Sequence, residues 1–251
     1  MSSREVIERA AELLGERARR DEPLGPRTTY RVGGPAALFA TIADDDDVAA
    51  VARAVRETGI DVLVVGKGSN LLVHDDGFPG LAITLAGRFL DVEIDGTTVR
   101  AGAAAPLPVV ARRTAAAGLT GFEWAVGVPG SIGGAVRMNA GGHGSDMAAT
   151  LRGVRVVDLR TGEDGFVAAA DLALGYRRSA LAPHHLVLEA ELALEPGDPD
   201  GGSRLITEIV AWRRANQPGG ANAGSVFTNP PGDSAGRLID AAGAKGLRVG
   251  T

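Results

Sequence analysis

The sequence contains no cysteine among its 251 residues. Disulfide bonds, thiolate metal sites and cysteine nucleophiles are therefore excluded. Histidine is scarce as well: the four histidines are His74, His143, His184 and His185, and none has a partner at the spacing of a helical metal motif. If residues 184 and 185 lie in a strand, as the surrounding pattern predicts, their side chains point to opposite faces. We therefore expect no metal site.

The chain also lacks the charge and hydrophobicity patterns of two classes of protein. Its net charge is −5 and it has no basic run with interleaved aromatic residues, so we expect no nucleic-acid partner. No apolar stretch is long enough to span a bilayer. The first twenty residues are amphipathic and lack the apolar core of a secretory signal, which favours the cytoplasm as the compartment.

Hydrophobic periodicity in the first eighty residues predicts a small α/β unit. Residues 4–19 carry one apolar helical stripe. After a connection rich in proline and glycine, residues 35–43 have the pattern of a strand. Residues 48–59 predict a helix that is capped by the acidic residues 44–47 and ends at a glycine. Residues 60–66 are a continuous apolar run, which is typical of a strand buried on both faces.

The middle of the chain predicts antiparallel strands joined by short turns. The strand segments are residues 81–85, 89–103 (a hairpin with Asp95-Gly96 at its turn), 151–169 and 184–195. One helix interrupts them, with Pro106 at its first position and Gly118 as its stop. We expect a linker at 196–204, an amphipathic helix over 205–217 and a short helix within 234–246.

Two glycine-rich segments stand out from this pattern. The first, VVGKGSNLLV, covers residues 64–73, and the second, GVPGSIGGAVRMNAGGHG, covers residues 127–144. A glycine-rich turn after a strand lets backbone N–H groups approach a phosphate closely, because no Cβ blocks it. Neither segment fits a Walker loop, a dinucleotide fingerprint or an α/β-hydrolase elbow.

The residues themselves leave two interpretations of these segments open. A single glycine-rich turn is usually only a turn. Two such segments, each with serine and asparagine among the glycines, favour a split anion site. In that site Ser69, Asn70, Ser131 and Asn139 would add side-chain hydrogen bonds to phosphates or to a ring edge.

Five motifs, taken in order, carry a resemblance to a known family: TYRVGG, VVGKGSNLLV, VPGSIGGAVRMNAG, YRRS and AGSVFTNP. From about residue 24 onward the chain resembles the UDP-N-acetylenolpyruvoylglucosamine reductase family of flavoproteins. The resemblance implies an α+β fold, in which a two-subdomain FAD-binding module of the vanillyl-alcohol-oxidase/PCMH type is followed by a partial α+β substrate-binding domain. The implied domains are residues 1–82, 83–200 and 201–251.

The resemblance also implies a reaction. NADPH, as co-substrate, would reduce a non-covalently bound FAD. The reduced flavin would then pass hydride from N5 to C3 of the enolpyruvyl group of UDP-N-acetylglucosamine enolpyruvate, giving UDP-N-acetylmuramate for peptidoglycan. The implied partners are small molecules, with no membrane or nucleic acid, and we expect a monomer. The implied cofactor-binding residues are Arg31, Gly66, Lys67, Gly68, Ser69, Asn70, Leu71, Gly127, Val128, Pro129, Gly130, Ser131, Gly133, Gly134, Asn139 and Gly141.

Two catalytic residues are implied by position in the motifs. Hydride addition leaves negative charge at C2 that spreads onto the substrate carboxylate, which a nearby cation stabilises. Arg177 is implied in that role, since a guanidinium stays charged and binds bidentately. Ser225 is implied as the proton donor to C2, a role open to a hydroxyl held in contact by a rigid turn. Tyr176 and Asn229 are implied as substrate-binding residues.

From the residues alone, plainer interpretations of this site stand beside the catalytic ones. Arg177 and Arg178 would be a surface pair at a strand end, and Ser225 an ordinary turn serine.

The chain departs from the family in three places. The resemblance implies a further catalytic glutamate after AAGAKGLRVG, and the sequence ends at Thr251 without it. We therefore expect a fragment of a longer reading frame, whose activity is an open question. Thr228 stands where many members have lysine, and Gln217 takes the place of another substrate-side lysine.

Two other functions stay open at this point. An inactive FAD- or UDP-sugar-binding remnant would accept hydride from NADPH but would not pass it on. A flavin oxidase of the same fold often tethers FAD through histidine or cysteine. The chain has no cysteine, and only His143 lies within a glycine-rich segment.

Overall fold

The computed structural model describes residues 2–217, 220 and 226–248. The helices are Ser3–Leu14 (α1), Asp45–Thr58 (α2), Leu107–Ala116 (α3), Ile132–Met138 (α4), Pro199–Asn216 (α5) and Ala235–Ala241 (α6). The strands are Ala18–Pro23 (β1), Pro35–Ile42 (β2), Val62–Val64 (β3), Phe78–Leu85 (β4), Val92–Asp95 (β5), Thr98–Gly102 (β6), Leu119–Thr120 (β7), Gly141–Gly142 (β8), Ser145–Asp146 (β9), Leu151–Asp158 (β10), Asp164–Ala168 (β11), His185–Ala193 (β12) and Glu195–Pro196 (β13). Among these helices, none is both long and apolar enough to cross a bilayer.

The first sheet has the strand order β1-β2-β4-β3. β2, β4 and β3 run parallel, and β1 is antiparallel to β2. Helices α1 and α2 pack on this sheet through buried alanine, valine and leucine side chains. The predicted start and stop of α2 are confirmed: the Asp44 carboxylate accepts the Asp47 N–H, and Gly59 closes the helix at φ 68°.

Two predictions for the first unit are wrong. Helix α1 ends at Leu14 rather than at residue 19, because Gly15 turns the chain at φ 54° and residues 18–23 form β1. The apolar run 60–66 gives a strand of only three residues at the edge of the sheet, and Val64 is exposed. Only Ile60 and Val65, which flank the strand, are buried.

The second sheet is antiparallel throughout, as predicted, with the order β11-β10-β12-β6-β5. The prediction is wrong for residues 81–85: they belong to β4 of the first sheet, which runs parallel to β2 and β3. The β5–β6 hairpin turns at Gly96-Thr97, one residue after the predicted Asp95-Gly96, because Asp95 still pairs with Thr98 as the last residue of β5; Gly96 has φ 55°. Helix α3 begins at Leu107. Pro106, which was predicted as the first residue of the helix, is its N-cap instead. The two sheets share a core, because Val157, Leu186 and Leu188 of the second sheet pack among residues of α1 and α2.

The predicted linker at 196–204 is also wrong. β13 pairs with β7, and α5 starts at Pro199 with Asp198 as its N-cap. Glycines at 201 and 202 give this stretch the composition of a linker, but Gly202 lies against Ala115 of α3, where a Cβ would come within 3.0 Å of the Ala115 Cβ. Helix α5 therefore packs on α3 and joins the second sheet and its helices, which we call the second unit.

Candidate functional site

The first glycine-rich segment follows β3 at the carboxyl end of the parallel strands. Gly68 has φ 63°, and a Cβ on it would lie 2.1 Å from the Arg27 carbonyl oxygen. The Thr29 N–H donates to the Gly68 carbonyl oxygen at 3.1 Å. Only glycine fits this position, and the loop is held against residues 27–29.

The backbone donors of this loop are available for a ligand. Within the described residues, no acceptor receives the N–H groups of Lys67, Gly68 and Ser69. Successive unpaired N–H groups in a turn form a concave site for an anion. Their availability favours the anion-site interpretation over the plain turn.

The second glycine-rich segment leads into α4, a helix that the sequence did not predict, with Ser131 as its N-cap. The backbone around Ser131 is tied to residues 103–107 by three hydrogen bonds: Leu107 N–H to Gly130 O, Ile132 N–H to Ala105 O and Gly133 N–H to Ala103 O, at 2.9–3.1 Å. A Cβ on Gly133 would lie 2.9 Å from the Ala103 Cβ. Gly133 thus allows α4 to pack closely, and its N–H is already used inside the protein.

The structure brings the two segments together. The Ser69 hydroxyl donates to the Pro129 carbonyl oxygen at 2.8 Å. A Cβ on Gly66 would lie 2.8 Å from the Ser131 Oγ, and one on Gly130 would lie 3.6 Å from the Ser69 Oγ. We call residues 66–71 and 127–134 the glycine junction.

A cavity of about 540 Å³ lies beside the glycine junction. Its described lining residues are Pro26, Arg27, Thr28, Thr29, Arg31, Lys67 and Gly220, and we call it the cationic cavity. Arg31 and Lys67 are predicted cofactor residues, and neither has an ion-pair partner among the described residues. Sequence reasoning missed Arg27; its only signal is a second arginine, four residues before Arg31, in the same proline- and glycine-containing connection.

Arg31 is held in an unusual backbone conformation at the cavity wall. Its φ is 59°, in the left-handed region, and its N–H donates to the Thr28 hydroxyl at 3.1 Å. The left-handed conformation costs a non-glycine residue about 1 kcal/mol or more of conformational free energy. Residues held in such a conformation are typical of functional segments.

Four predicted cofactor residues have contacts elsewhere in the protein. The Asn139 amide is buried; it donates to Asp146 at 3.1 Å and accepts the Ala148 N–H at 2.9 Å. Gly141 lies against Asp146. Leu71 packs against buried side chains of the first sheet, and Val128 packs against buried side chains of the second sheet and its helices.

Gly127 is covered by a histidine and by α5. A Cβ on it would lie 3.0 Å from the His143 ring and 3.1 Å from Ile209. The His143 ring in turn meets the Trp212 ring edge-on at 5.1 Å. Helix α5 thereby supports the second glycine-rich segment.

The YRRS motif forms a tight turn beside the far end of α4. Gly175 and Arg178 exchange two backbone hydrogen bonds of 3.1 Å, and Arg177 sits between them at φ 58°. The Ser179 hydroxyl donates to the Arg137 carbonyl oxygen at 2.8 Å. Since Ser131 begins the same helix, α4 connects the turn to the glycine junction over roughly 10 Å. Tyr176 is exposed on this turn.

The predicted residues near the end of the chain are only partly described. Ser225 lies outside the described residues. The Asn229 side-chain oxygen accepts the Ala235 N–H at 3.0 Å, at the start of α6. Gln217 accepts from the Arg213 guanidinium at 2.8 Å, and Thr228 is exposed.

The expectation that His184 and His185 point to opposite faces is wrong. His184 precedes β12, so strand alternation does not apply, and both Nε2 atoms lie 3.6–3.7 Å from the Asp158 Oδ2. These three side chains can together offer metal-ligand atoms. However, the Ala182 N–H donates to His185 Nδ1 at 3.0 Å, so the neutral ring carries its proton on Nε2 and donates toward Asp158.

Burial and charge shift the pKa values of this cluster. Burial lowers the pKa of His184, and Asp158 only partly offsets it. Burial raises the pKa of Asp158, but backbone N–H groups of Arg160 and Thr161 together with the two imidazoles outweigh it, so the pKa is lowered.

Comparison with known proteins agrees with this geometry. A family model described as an FAD binding domain matches residues 36–163, which include both parts of the glycine junction. A second model, the C-terminal domain of UDP-N-acetylenolpyruvoylglucosamine reductase, matches residues 216–251.

Relatives and solved structures extend the likeness over most of the chain. UDP-N-acetylenolpyruvoylglucosamine reductase of Rubrobacter xylanophilus is 42% identical over 235 residues, 93% of this chain and 78% of the relative. The crystal structure of the Thermus caldophilus reductase has a TM-score of 0.81 at 38% identity and covers 93% of this chain and 83% of that one. A vanillyl-alcohol-oxidase-type flavoprotein of Myceliophthora thermophila shares the fold alone, with a TM-score of 0.50 at 14% identity, covering 64% of this chain and 32% of that one.

Proposed function

Because the chain belongs to the UDP-N-acetylenolpyruvoylglucosamine reductase family, we propose that it is a flavoenzyme that reduces UDP-N-acetylglucosamine enolpyruvate to UDP-N-acetylmuramate with NADPH. The substrate is thus a small UDP-sugar, and the product is a precursor of peptidoglycan. One observation supports this most strongly: the Ser69–Pro129 hydrogen bond joins two distant predicted cofactor segments, and both fall within the matched FAD-binding domain.

The residues of the glycine junction fit FAD. Its turns leave no room for a Cβ at Gly66 or Gly68 unless neighbouring atoms move, and the amides of residues 67–69 are unpaired among the described residues. Arg31 and Lys67 add positive charge at the cavity wall. Unpaired N–H groups and cations together are what a diphosphate requires. When bound, FAD supplies the hydride-transfer chemistry between NADPH and the enolpyruvyl group.

We assign the remaining predicted residues as follows. The Arg177 guanidinium stabilises the negative charge that develops on the substrate carboxylate, and the tight turn limits its movement. Tyr176 and Asn229 bind the substrate. Ser225, which lies outside the described residues, gives a proton to C2 on the strength of the motif alone.

The proposed domains are residues 1–82, 83–200 and 201–251. The last boundary falls inside α5, which packs on the second unit, so the substrate-binding part would begin structurally after this helix. A cytoplasmic monomer is the proposed form.

An anaerobic two-step titration tests the function. The purified chain, saturated with FAD, is reduced with NADPH while the visible flavin spectrum is followed. UDP-N-acetylglucosamine enolpyruvate is then added. We expect the flavin absorbance to bleach in the first step and to return in the second.

A matched compound provides the control. UDP-N-acetylglucosamine has the same nucleotide and sugar but no enolpyruvyl group, so it should leave the flavin reduced. Flavin that fails to bind, fails to bleach with NADPH, or stays reduced after the enolpyruvyl substrate would contradict the proposed function of this chain.

A further inference from the structure

The Arg27 guanidinium is held from two sides at the wall of the cationic cavity. Its Nη2 donates to the Glu22 carboxylate on β1 at 2.6 Å, and its Cζ lies 4.0 Å from the centre of the Phe39 ring on β2. The side chain is 31% exposed. An arginine loses much rotamer freedom when it is ordered, and here the protein has already ordered it.

Most donors of this guanidinium are unused. The group carries five N–H donors. Nη2 bonds Glu22, and within the described residues Nε is buried and has no acceptor. The Arg27 carbonyl oxygen also contacts Gly68, so Arg27 adjoins the loop with the unpaired amides. Side chain and loop can therefore act on one ligand.

The charge of the surroundings favours a dianion. Glu22 is the acidic partner at this wall, and the Arg27 hydrogen bond lowers its pKa, so it stays ionised and cancels one positive charge. Arg19 also approaches this carboxylate, at 3.6 Å, so its charge counts here as well. Together with Arg27, Arg31 and Lys67, which line the cavity, the formal charge is +3. A diphosphate ester bears a charge of about −2, so this excess of positive charge favours its binding, and a guanidinium fork fits its oxygen atoms.

We propose that Arg27 is a diphosphate-binding residue of the dinucleotide site, and that Glu22 and Phe39 are the positioning residues that orient it. This inference rests on the proposed function. FAD, NADPH and the UDP-sugar substrate all contain a diphosphate. The contact of Arg27 with Gly68 places it beside the loop with the unpaired amides, which favours a dinucleotide, and the experiment must identify which dinucleotide supplies the diphosphate.

The test compares Arg27→Met with Arg19→Met. Arg19 is a matched control, because its guanidinium also approaches Glu22 (3.6 Å) and Phe39 (5.1 Å) but it does not line the cavity. Dissociation constants for FAD are measured on apoprotein. Those for NADPH are measured on protein saturated with FAD, with NADP⁺ in place of NADPH, because NADP⁺ carries the same diphosphate and cannot reduce the flavin. Arg27→Met should raise one of them about 10- to 100-fold, and Arg19→Met should change neither by more than about twofold.

Salt dependence separates a phosphate contact from a structural effect. If Arg27 pairs with phosphate, the dissociation constant should rise less steeply with salt in Arg27→Met than in the wild type. A rise for FAD alone assigns the diphosphate to FAD, and a rise for NADPH alone assigns it to NADPH. The inference is overturned if both constants stay unchanged, if the two variants behave alike, or if the salt dependence is unaltered.

Failure of this inference is distinguishable from failure of the proposed function. Wild-type protein that binds no FAD would contradict the function itself. In that case inorganic pyrophosphate is titrated calorimetrically into both proteins. Weaker binding to Arg27→Met than to the wild type supports the inference, and equal or absent binding overturns it.

Discussion

The Ser69 hydroxyl donates a 2.8 Å hydrogen bond to the Pro129 carbonyl oxygen across a sequence separation of 60 residues. The bond fixes the first glycine-rich segment against the second. A hydrogen bond of this kind contributes about 1 kcal/mol, so Ser69→Ala should weaken FAD binding about 3- to 10-fold. The dissociation constant is measured by the quenching of flavin fluorescence on titration with apoprotein.

Ser69→Thr keeps a hydroxyl at the same position and serves as the control. It should bind FAD more tightly than Ser69→Ala does. If Ser69→Ala matches the wild type, the contact between the two segments is not part of the cofactor site.

Two adjacent glycines of α4 should respond in opposite ways to alanine. At Gly133 a Cβ would lie 2.9 Å from the Ala103 Cβ and 3.3 Å from the Ala103 carbonyl oxygen, so Gly133→Ala should destabilise the apoprotein by about 1–3 kcal/mol. At Gly134 a Cβ would meet, among the described residues outside its own helix backbone, the Ser131 Oγ at an ordinary 3.6 Å, so Gly134→Ala should add up to about 1 kcal/mol of stability through helix propensity. Urea unfolding measures both.

Flavin affinity gives a second measure of the same pair. If Gly134 contacts FAD as proposed, Gly134→Ala should weaken FAD binding although the apoprotein is not destabilised. Equal stability of the two variants would contradict the packing of α4 described above.

Arg177 combines a strained backbone with a proposed catalytic role. Its φ of 58° costs a non-glycine residue about 1 kcal/mol or more, and glycine removes this cost. Arg177→Gly should therefore leave the free energy of unfolding nearly unchanged. The rate at which the enolpyruvyl substrate reoxidises the flavin should fall about 10²- to 10³-fold.

Stopped-flow absorbance measures this rate, and Arg178→Ala is the neighbouring control. The control should stay within a few-fold of the wild type, because Arg178 has no proposed contact with the carboxylate. An Arg177→Gly protein that reoxidises at the wild-type rate would rule out the assignment of Arg177.

His184 should make stability depend on pH. Burial lowers its pKa in the folded state below the ordinary value of 6.5. As the pH falls below about 6.5, the unfolded chain binds a proton that the folded chain does not, so the free energy of unfolding decreases. Above that pH the contribution is fully present. His184→Gln should flatten the decrease between about pH 6.5 and 5, as measured by urea unfolding.

The control for this prediction is His74→Gln. The His74 side chain is 77% exposed, whereas that of His184 is 23% exposed. His74→Gln should keep the wild-type pH dependence. An unchanged profile in His184→Gln would contradict the account.

Elements governed by local chemistry could be predicted from the sequence. The Asp44 cap and the Gly59 stop bound α2, and Gly96, at φ 55°, lies in the turn of the predicted β5–β6 hairpin. Elements decided by tertiary packing were missed. β1 has the polar sequence ARRDEP and forms because β2 offers it a partner at the sheet edge.

Site residues, like the elements of the fold, divide into those that local sequence predicts and those that tertiary contacts decide. Ser69, Ser131 and Lys67 could be predicted because serine and lysine within glycine-rich motifs suit an anion site. The fold brings the segments of Ser69 and Ser131 together. Arg27 has no periodic or motif signal, because its place in the cavity follows from the contact of its carbonyl with Gly68. Asn139 shows the reverse: its residue type suited a ligand, but the fold uses its amide for internal hydrogen bonds.

Hydrogen–deuterium exchange of the apoprotein, measured by mass spectrometry along an FAD titration, tests most directly whether the glycine junction is one cofactor site. Peptides covering residues 66–71 and 127–134 should gain protection together, with the same midpoint in FAD concentration, because the unpaired amides of the first segment acquire acceptors. The distant turn between β10 and β11 should not change. Protection of only one segment, or of neither, would contradict the account.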